Sequence, residues 1–134
     1  MRLIGNGGHA SVVRDVIRRS RYSGDNHAFI AVGNNFARSL EADANNFLTY
    51  ATLIDPSAVV SESAKIGAGT IVMAGTVVQA NAVIGRHCIV NTGSSVDHDC
   101  QLGDFVHIAP GAHLCGGVTV GEGALVGVGA RAVP

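Results

Sequence analysis

From Ile54 onward every sixth residue is aliphatic, and the register never slips: Ile54, Val60, Ile66, Val72, Val78, Ile84, Val90, Val96, Leu102, Ile108, Leu114, Val120 and Val126. A repeat this regular constrains architecture before any local propensity does. Four places after each aliphatic residue sits a small or slim one: Ala58, Ala64, Thr70, Thr76, Ala82, Cys88, Ser94, Cys100, Val106, Ala112, Val118, Ala124 and Ala130. The aliphatic positions suit a narrow interior, and the small ones suit crowded corners where the chain turns. Thirteen hexads cover Ile54 to Arg131. A helical period of about 3.6 or a strand period of 2 would lose this phase within a few turns.

A longer period lies inside the first. The aliphatic residue is followed by glycine at Ile66-Gly67, Ile84-Gly85, Leu102-Gly103 and Val120-Gly121, pairs that recur every eighteen residues. Three hexads therefore bring the chain back to the same side, which describes a triangular coil of short strands with residues i and i+18 stacked. The expected fold class is mainly β, a parallel β-helix of hexapeptide repeats, and the 18 glycines suit its tight corners.

Composition excludes several function classes. A formal net charge of −1, with 14% charged and 4% aromatic residues, supplies neither the basic surface nor the stacking platforms that nucleic acid requires. No apolar run approaches the roughly 18 residues of a membrane span, and the start, Met1-Arg2-Leu3-Ile4-Gly5, lacks a secretory core, so a cytoplasmic location is expected. Cys88, Cys100 and Cys115 show no CxxC spacing and read as small buried thiols rather than disulfides or metal ligands.

Residues 1–50 follow another pattern. A strand at Arg2-Leu3-Ile4 leads through the glycine turn Gly5-Asn6-Gly7-Gly8-His9 into a helix reaching about Arg21, whose apolar face is Ala10, Val13, Val16 and Ile17. Arg14, Arg18, Arg19 and Arg21 then fall on the solvent side, and a second strand runs through Phe29-Ile30-Ala31-Val32. A glycine turn opening a helix is a site for an anionic group such as phosphate, because free N–H groups and the helix dipole converge there. The acidic residue of a dinucleotide site is missing from the strand that follows.

Three blocks make a resemblance specific: Gly5-Asn6-Gly7-Gly8-His9-Ala10, Ala31-Val32-Gly33-Asn34-Asn35, and Asn91 to Cys100 with Val96-Asp97-His98-Asp99 inside it, continuing through Leu102-Gly103-Asp104-Phe105-Val106-His107. Together they resemble the sugar acetyltransferases of the sialic acid O-acetyltransferase and UDP-4-amino-sugar N-acetyltransferase (NeuD/PglD-like) family. The resemblance implies a left-handed coil, although parallel crossovers are otherwise nearly always right-handed. It implies a shortened Rossmann-like nucleotide-sugar-binding segment over 1–50 and an acyltransferase β-helix over 51–134 that lacks its last coils. It further implies a homotrimer with acetyl-CoA between neighbouring coils and no metal. By motif match His98 is the general base and Asp99 its acidic neighbour. His107, Gly116 and Val128 match acetyl-CoA contacts, and Asn6, Gly7, Gly8, His9 and Gly33 match the nucleotide-sugar site. The outward residues Val59, Ile71, Val77, Val83 and Ile89 suit a buried trimer face, partly covered by the N-terminal segment. His87 and His113 read as surface or inter-subunit residues.

The residues themselves agree. An amine or hydroxyl attacking a thioester must shed a proton, and a histidine can accept it near neutral pH. Asp97 or Asp99 could stabilise the imidazolium. Residue i+18 from His98 is Gly116, so bare backbone should stack beside the base. The expected reaction is acetyl transfer from acetyl-CoA to the amino group of a nucleotide-linked amino sugar of the UDP-4-amino-4,6-dideoxy type. Rival readings are O-acetylation of sialic acid, a scaffold or fragment of poor turnover, and a metal-dependent lyase like the gamma-class carbonic anhydrases, whose histidine spacing the chain lacks.

Overall fold

The hexads fold as their period requires. The computed structural model describes residues 1–134, and from residue 53 onward each hexad supplies one two-residue strand. These stack into three parallel faces. The first holds Leu53–Ile54, Ile71–Val72, Ile89–Val90, His107–Ile108 and Leu125–Val126. The second holds Val59–Val60, Val77–Val78, Ser95–Val96, His113–Leu114 and Arg131–Ala132, and the third Lys65–Ile66, Val83–Ile84, Gln101–Leu102 and Thr119–Val120. Register is i to i+18 throughout: Ser95 pairs with Val77 and His113, and His107 with Ile89 and Leu125.

The aliphatic residues from Val72 to Val120 are buried in one fifteen-residue cluster with Ala82, Cys88, Cys100, Val106, Ala112 and Val118 from the small slot. Where that slot is polar its donors return to the main chain. Thr70 Oγ1 donates to the carbonyl of Gly85 (2.8 Å), Thr76 Oγ1 to Asn91 (3.0 Å) and Ser94 Oγ to Asn91 (2.6 Å), so none is buried unpaired. Two of the three thiols are buried as expected, but Cys115 is exposed, because it lies on the outer side of its strand next to Leu114.

A third periodicity carries the corners. From Gly69 to Gly129 every sixth residue has a positive φ, and four of these eleven are not glycine: Asn81, His87, Asp99 and Phe105. This left-handed conformation costs a residue with a Cβ on the order of 1 kcal/mol. The other seven are glycine, the residue that adopts this conformation at no steric cost, so the slot left a signal in the sequence that His87 and Phe105 interrupt.

The first fifty residues form a two-stranded parallel sheet flanked by two helices: β1 (Arg2–Ile4), α1 (Gly8–Ser20), β2 (Ala28–Ile30) and α2 (Asn35–Ala44). Helix α1 ends on Arg21 in the left-handed conformation. Its buried face of Ala10, Val13 and Val16 packs with Phe29 on Leu53, Ile71, Met73 and Ile89 of the first face. Burial of each valine stabilises this contact by about 1.5–3 kcal/mol. Arg19 is not merely solvated, since its Nε donates to the buried Asp55 at 2.8 Å. The apolar outward residues do not form one stripe either: Ile71 and Ile89 lie under α1, Val77 and Val83 are half-buried on different faces, and Val59 is 64% exposed. Helix α2 went unread in the sequence although Asn34 caps it by accepting from Ala37 N at 2.9 Å. No helix is long and apolar enough to cross a membrane.

His87 corrects the expectation of a surface residue. It is 2% exposed, stacked on Phe105 (centroids 5.4 Å apart) and edge-on to Tyr50 (4.5 Å). Burial, then Arg86 and Arg38, lower its pKa to about 4; burial, then Arg38 and His107, lower that of His9 to about 4. An unfolded histidine titrates near 6.5. Between these values the unfolded chain binds protons the folded one refuses, so stability falls as pH drops from about 6.5 towards 4, by on the order of 3 kcal/mol for each histidine. Urea midpoints across that window should show the slope, and His87→Asn should reduce it by about half, leaving the part due to His9.

Candidate active site

The corner after the second face carries His98. Asp97 turns its Oδ1 back to the main-chain N–H of His98 (2.8 Å), while Asp99 Oδ2 lies 2.8 Å from His98 Nδ1. The two aspartates are thereby told apart: only Asp99 holds the imidazole. It reaches back because its backbone is left-handed, with φ 59°. A carboxylate only accepts, so the imidazole proton sits on Nδ1 and Nε2 keeps a free lone pair. The Asp99 hydrogen bond, with the nearby charge of Asp97, raises the pKa of His98 above its ordinary value, and the same bond lowers that of Asp99.

The free nitrogen lies over Gly116, one coil further on. A Cβ built on Gly116 would stand 2.4 Å from His98 Nε2, so only a glycine leaves the ring its place. The i+18 stacking thus brings Gly116 under His98 as the count along the sequence anticipates, and Asp99 reaches the ring as its chain neighbour.

A second cluster forms where the N-terminal segment meets the coil. Gly5, Asn6, Gly7, Gly8, His9, Ala31, Val32 and Gly33 line an open cavity of about 340 Å³ at the start of α1. The first-turn N–H groups of a helix have no internal partner and favour an anion there. Gly7 is the N-cap and no side chain caps the helix, so His9 is free of the capping role. A second cavity of about 320 Å³ shares Gly33 and runs past Asn34, Asn35 and Phe36 to His107, Gly123 and Leu125.

His107 Nε2 lies 3.0 Å from Asn91 Nδ2. Asn91 Oδ1 accepts from Thr92 N (2.8 Å), which turns the amide NH₂ toward the ring and makes Nε2 the acceptor. Burial, then the charge of Arg38, lower the pKa of His107, so it stands neutral with its proton on Nδ1. Val128 is not brought to this place: it is 79% exposed and lines neither cavity. His98 lines no cavity either, so within one chain the base and the two cavities lie at separate places. No group of three or more His, Cys, Asp or Glu side chains is placed to hold a metal ion. Asn91 and Arg38 were missed in the sequence, the first for lack of any charge to mark it, the second because α2 was not seen.

No protein-family model and no curated protein sequence matches the chain. Solved structures do. The acetyltransferase domain of PglB from Neisseria gonorrhoeae, solved alone and with acetyl coenzyme A, is 36% identical with a TM-score of 0.92, over 97% of this chain and 80% of that one. PerB from Caulobacter crescentus, solved with CoA and GDP-perosamine, is 37% identical with a TM-score of 0.92, over 98% of this chain and 79% of that one. WeeI from Acinetobacter baumannii, at 20% identity and a TM-score of 0.73, shares the fold. With a histidine held by an aspartate over a glycine, on a coil of hexads that superposes on these enzymes, the chain belongs to the hexapeptide-repeat, acetyl-CoA-dependent sugar acetyltransferases.

Proposed function

We propose that the chain transfers the acetyl group of acetyl-CoA to the amino group of a nucleotide-linked 4-amino sugar. The observation that carries this reading is His98 with Nδ1 tied to Asp99 and an unencumbered Nε2 above bare backbone. The acceptor nitrogen attacks the thioester carbonyl while His98 Nε2 takes its proton. Asp99 stabilises the imidazolium so formed, and collapse of the tetrahedral intermediate expels the CoA sulfur, to which His98 returns the proton. Backbone at Gly116 is open to the thioester beside the base.

Residues 1–50 are read as a shortened Rossmann-like segment. Its turn of Asn6, Gly7, Gly8 and His9, with Gly33 opposite, takes the diphosphate of the nucleotide sugar. Residues 51–134 form a left-handed acyltransferase coil, with His107, Gly116 and Val128 along the acetyl-CoA path. The separation of His98 from the cavities supports the homotrimer that the resemblance implies, in which a neighbouring copy supplies His98 to the cavities beside His9 and His107. Such an enzyme works in the cytoplasm, where its acetyl donor is.

Release of CoA thiol from acetyl-CoA by the purified chain tests this, with a UDP-4-amino-4,6-dideoxy sugar, GDP-perosamine and sialic acid as separate acceptors. Release that depends on an amino sugar supports the proposal and names the nucleotide. Release with sialic acid alone replaces it with O-acetylation, and no release from folded protein leaves a scaffold. Because the Asp99 hydrogen bond raises the pKa of His98, kcat/KM should rise with pH through a midpoint above about 6.5. Asp99→Asn should lower both that midpoint and the rate.

A further inference from the structure

The N-terminal segment grips the coil at one column of left-handed corners. His87, Phe105 and Gly123 stack eighteen residues apart with φ of 53°, 59° and 72°, and their carbonyl oxygens accept no main-chain N–H. Arg38 Nε donates to His87 O (2.7 Å) and Nη2 to Phe105 O (3.0 Å), while Asn35 Nδ2 donates to Gly123 O (3.0 Å). On its other side Arg38 Nη1 donates to Val32 O and Gly33 O, both at 3.0 Å, and Nη2 to Asn35 Oδ1 (2.7 Å).

Every N–H of this guanidinium is thus engaged, the side chain is 1% exposed, and no carboxylate forms a salt bridge with it. An arginine spent in this way has no donor left for a ligand. A buried cation without a counter-charge is costly, so five well-made bonds are what keep it in place. What it holds is the loop from Val32 to Asn35, the wall common to the cavity at the glycine turn and the cavity at His107. The side-chain hydrogen bonds that tie this stretch to the coil come from Arg38 and Asn35, both on α2.

We propose that Arg38 is a positioning residue: it clamps the Val32–Asn35 loop to the corner carbonyls of the coil and so fixes the acceptor pocket at the distance from His107 that transfer requires. The inference rests on the reading of those cavities as the place of the nucleotide sugar. Lysine keeps the charge but concentrates its donors at one point and cannot bridge loop and coil as the planar fork does. A displaced wall raises KM for the acceptor more than it lowers kcat, and leaves the titration of His98, on another corner, where it was.

Initial rates of the full chain carrying Arg38→Lys or Asn35→Ala, with acetyl-CoA and a UDP-4-amino-4,6-dideoxy sugar varied in turn, test this alongside amide hydrogen exchange of the stretch 31–37. Arg38→Lys should raise KM for the sugar about tenfold, leave the pH midpoint unchanged and speed exchange in that stretch. Asn35→Ala, a change at a half-buried position outside the core, should do the same more weakly. An unaltered acceptor KM and unaltered exchange in both variants would overturn the clamp. So would a uniform loss of activity that follows a lowered Tm, which marks a role in folding alone. If the wild type neither turns over nor binds the nucleotide sugar, the proposed function falls, and unchanged exchange of 31–37 in Arg38→Lys then still refutes the clamp.

Discussion

His98→Ala lowers kcat/KM for acetyl transfer by about 10²–10⁴-fold and leaves the melting temperature nearly unchanged. The size is that of a lost general base acting on an amine whose proton must leave as the carbonyl carbon is attacked. The absence of a stability effect follows from exposure: the His98 side chain is 61% exposed, and its one side-chain partner is the equally exposed Asp99. Steady-state kinetics and thermal denaturation on the same preparation check both halves. A loss smaller than about threefold would move the base elsewhere, and His107 could not replace it, because Asn91 already occupies the nitrogen that is free to accept.

Gly116→Ala should lower kcat by on the order of a hundredfold, although it adds one methyl group and removes none of the reacting residues. The new Cβ would stand 2.4 Å from His98 Nε2 and 2.5 Å from its Cε1, well inside contact distance. The exposed ring is free to swing away, so the fold survives. In doing so it loses the bond to Asp99 or its alignment with the thioester, and misplacement of about 1 Å is enough for such a loss. Gly117→Ala distinguishes this from a general effect of substitution. That neighbour has no heavy atom within 4 Å of its would-be Cβ but a φ of 75°, so its substitution should strain the corner and lower Tm rather than disable the base.

Relations of the i to i+18 kind were legible because the register never slips. Gly116 was found under His98 by counting, and the interior from Val72 to Val120 follows from the same count. The Ala10, Val13 and Val16 face of α1 was read from helical spacing, and the structure buries all three. Relations between the two parts of the chain had no such ruler. His87 looks like any polar corner residue until Tyr50 and Phe105 enclose it, and Arg38 looks like a solvated arginine until the corner carbonyls of His87 and Phe105 take its donors. Cys115 and Val128 share the repeat with buried neighbours and are exposed because they face outward from it.

By itself, then, the sequence determined the coil, its three faces and the pairing of base and glycine, since a fixed period turns distance along the chain into distance in space. Tertiary structure alone decided which aspartate holds His98, which tautomer His107 adopts, and how α2 is fastened above the cavities. The first depends on a backbone angle, and the others on hydrogen-bond partners 16 to 89 residues away, for which no local pattern of side chains supplies a signal.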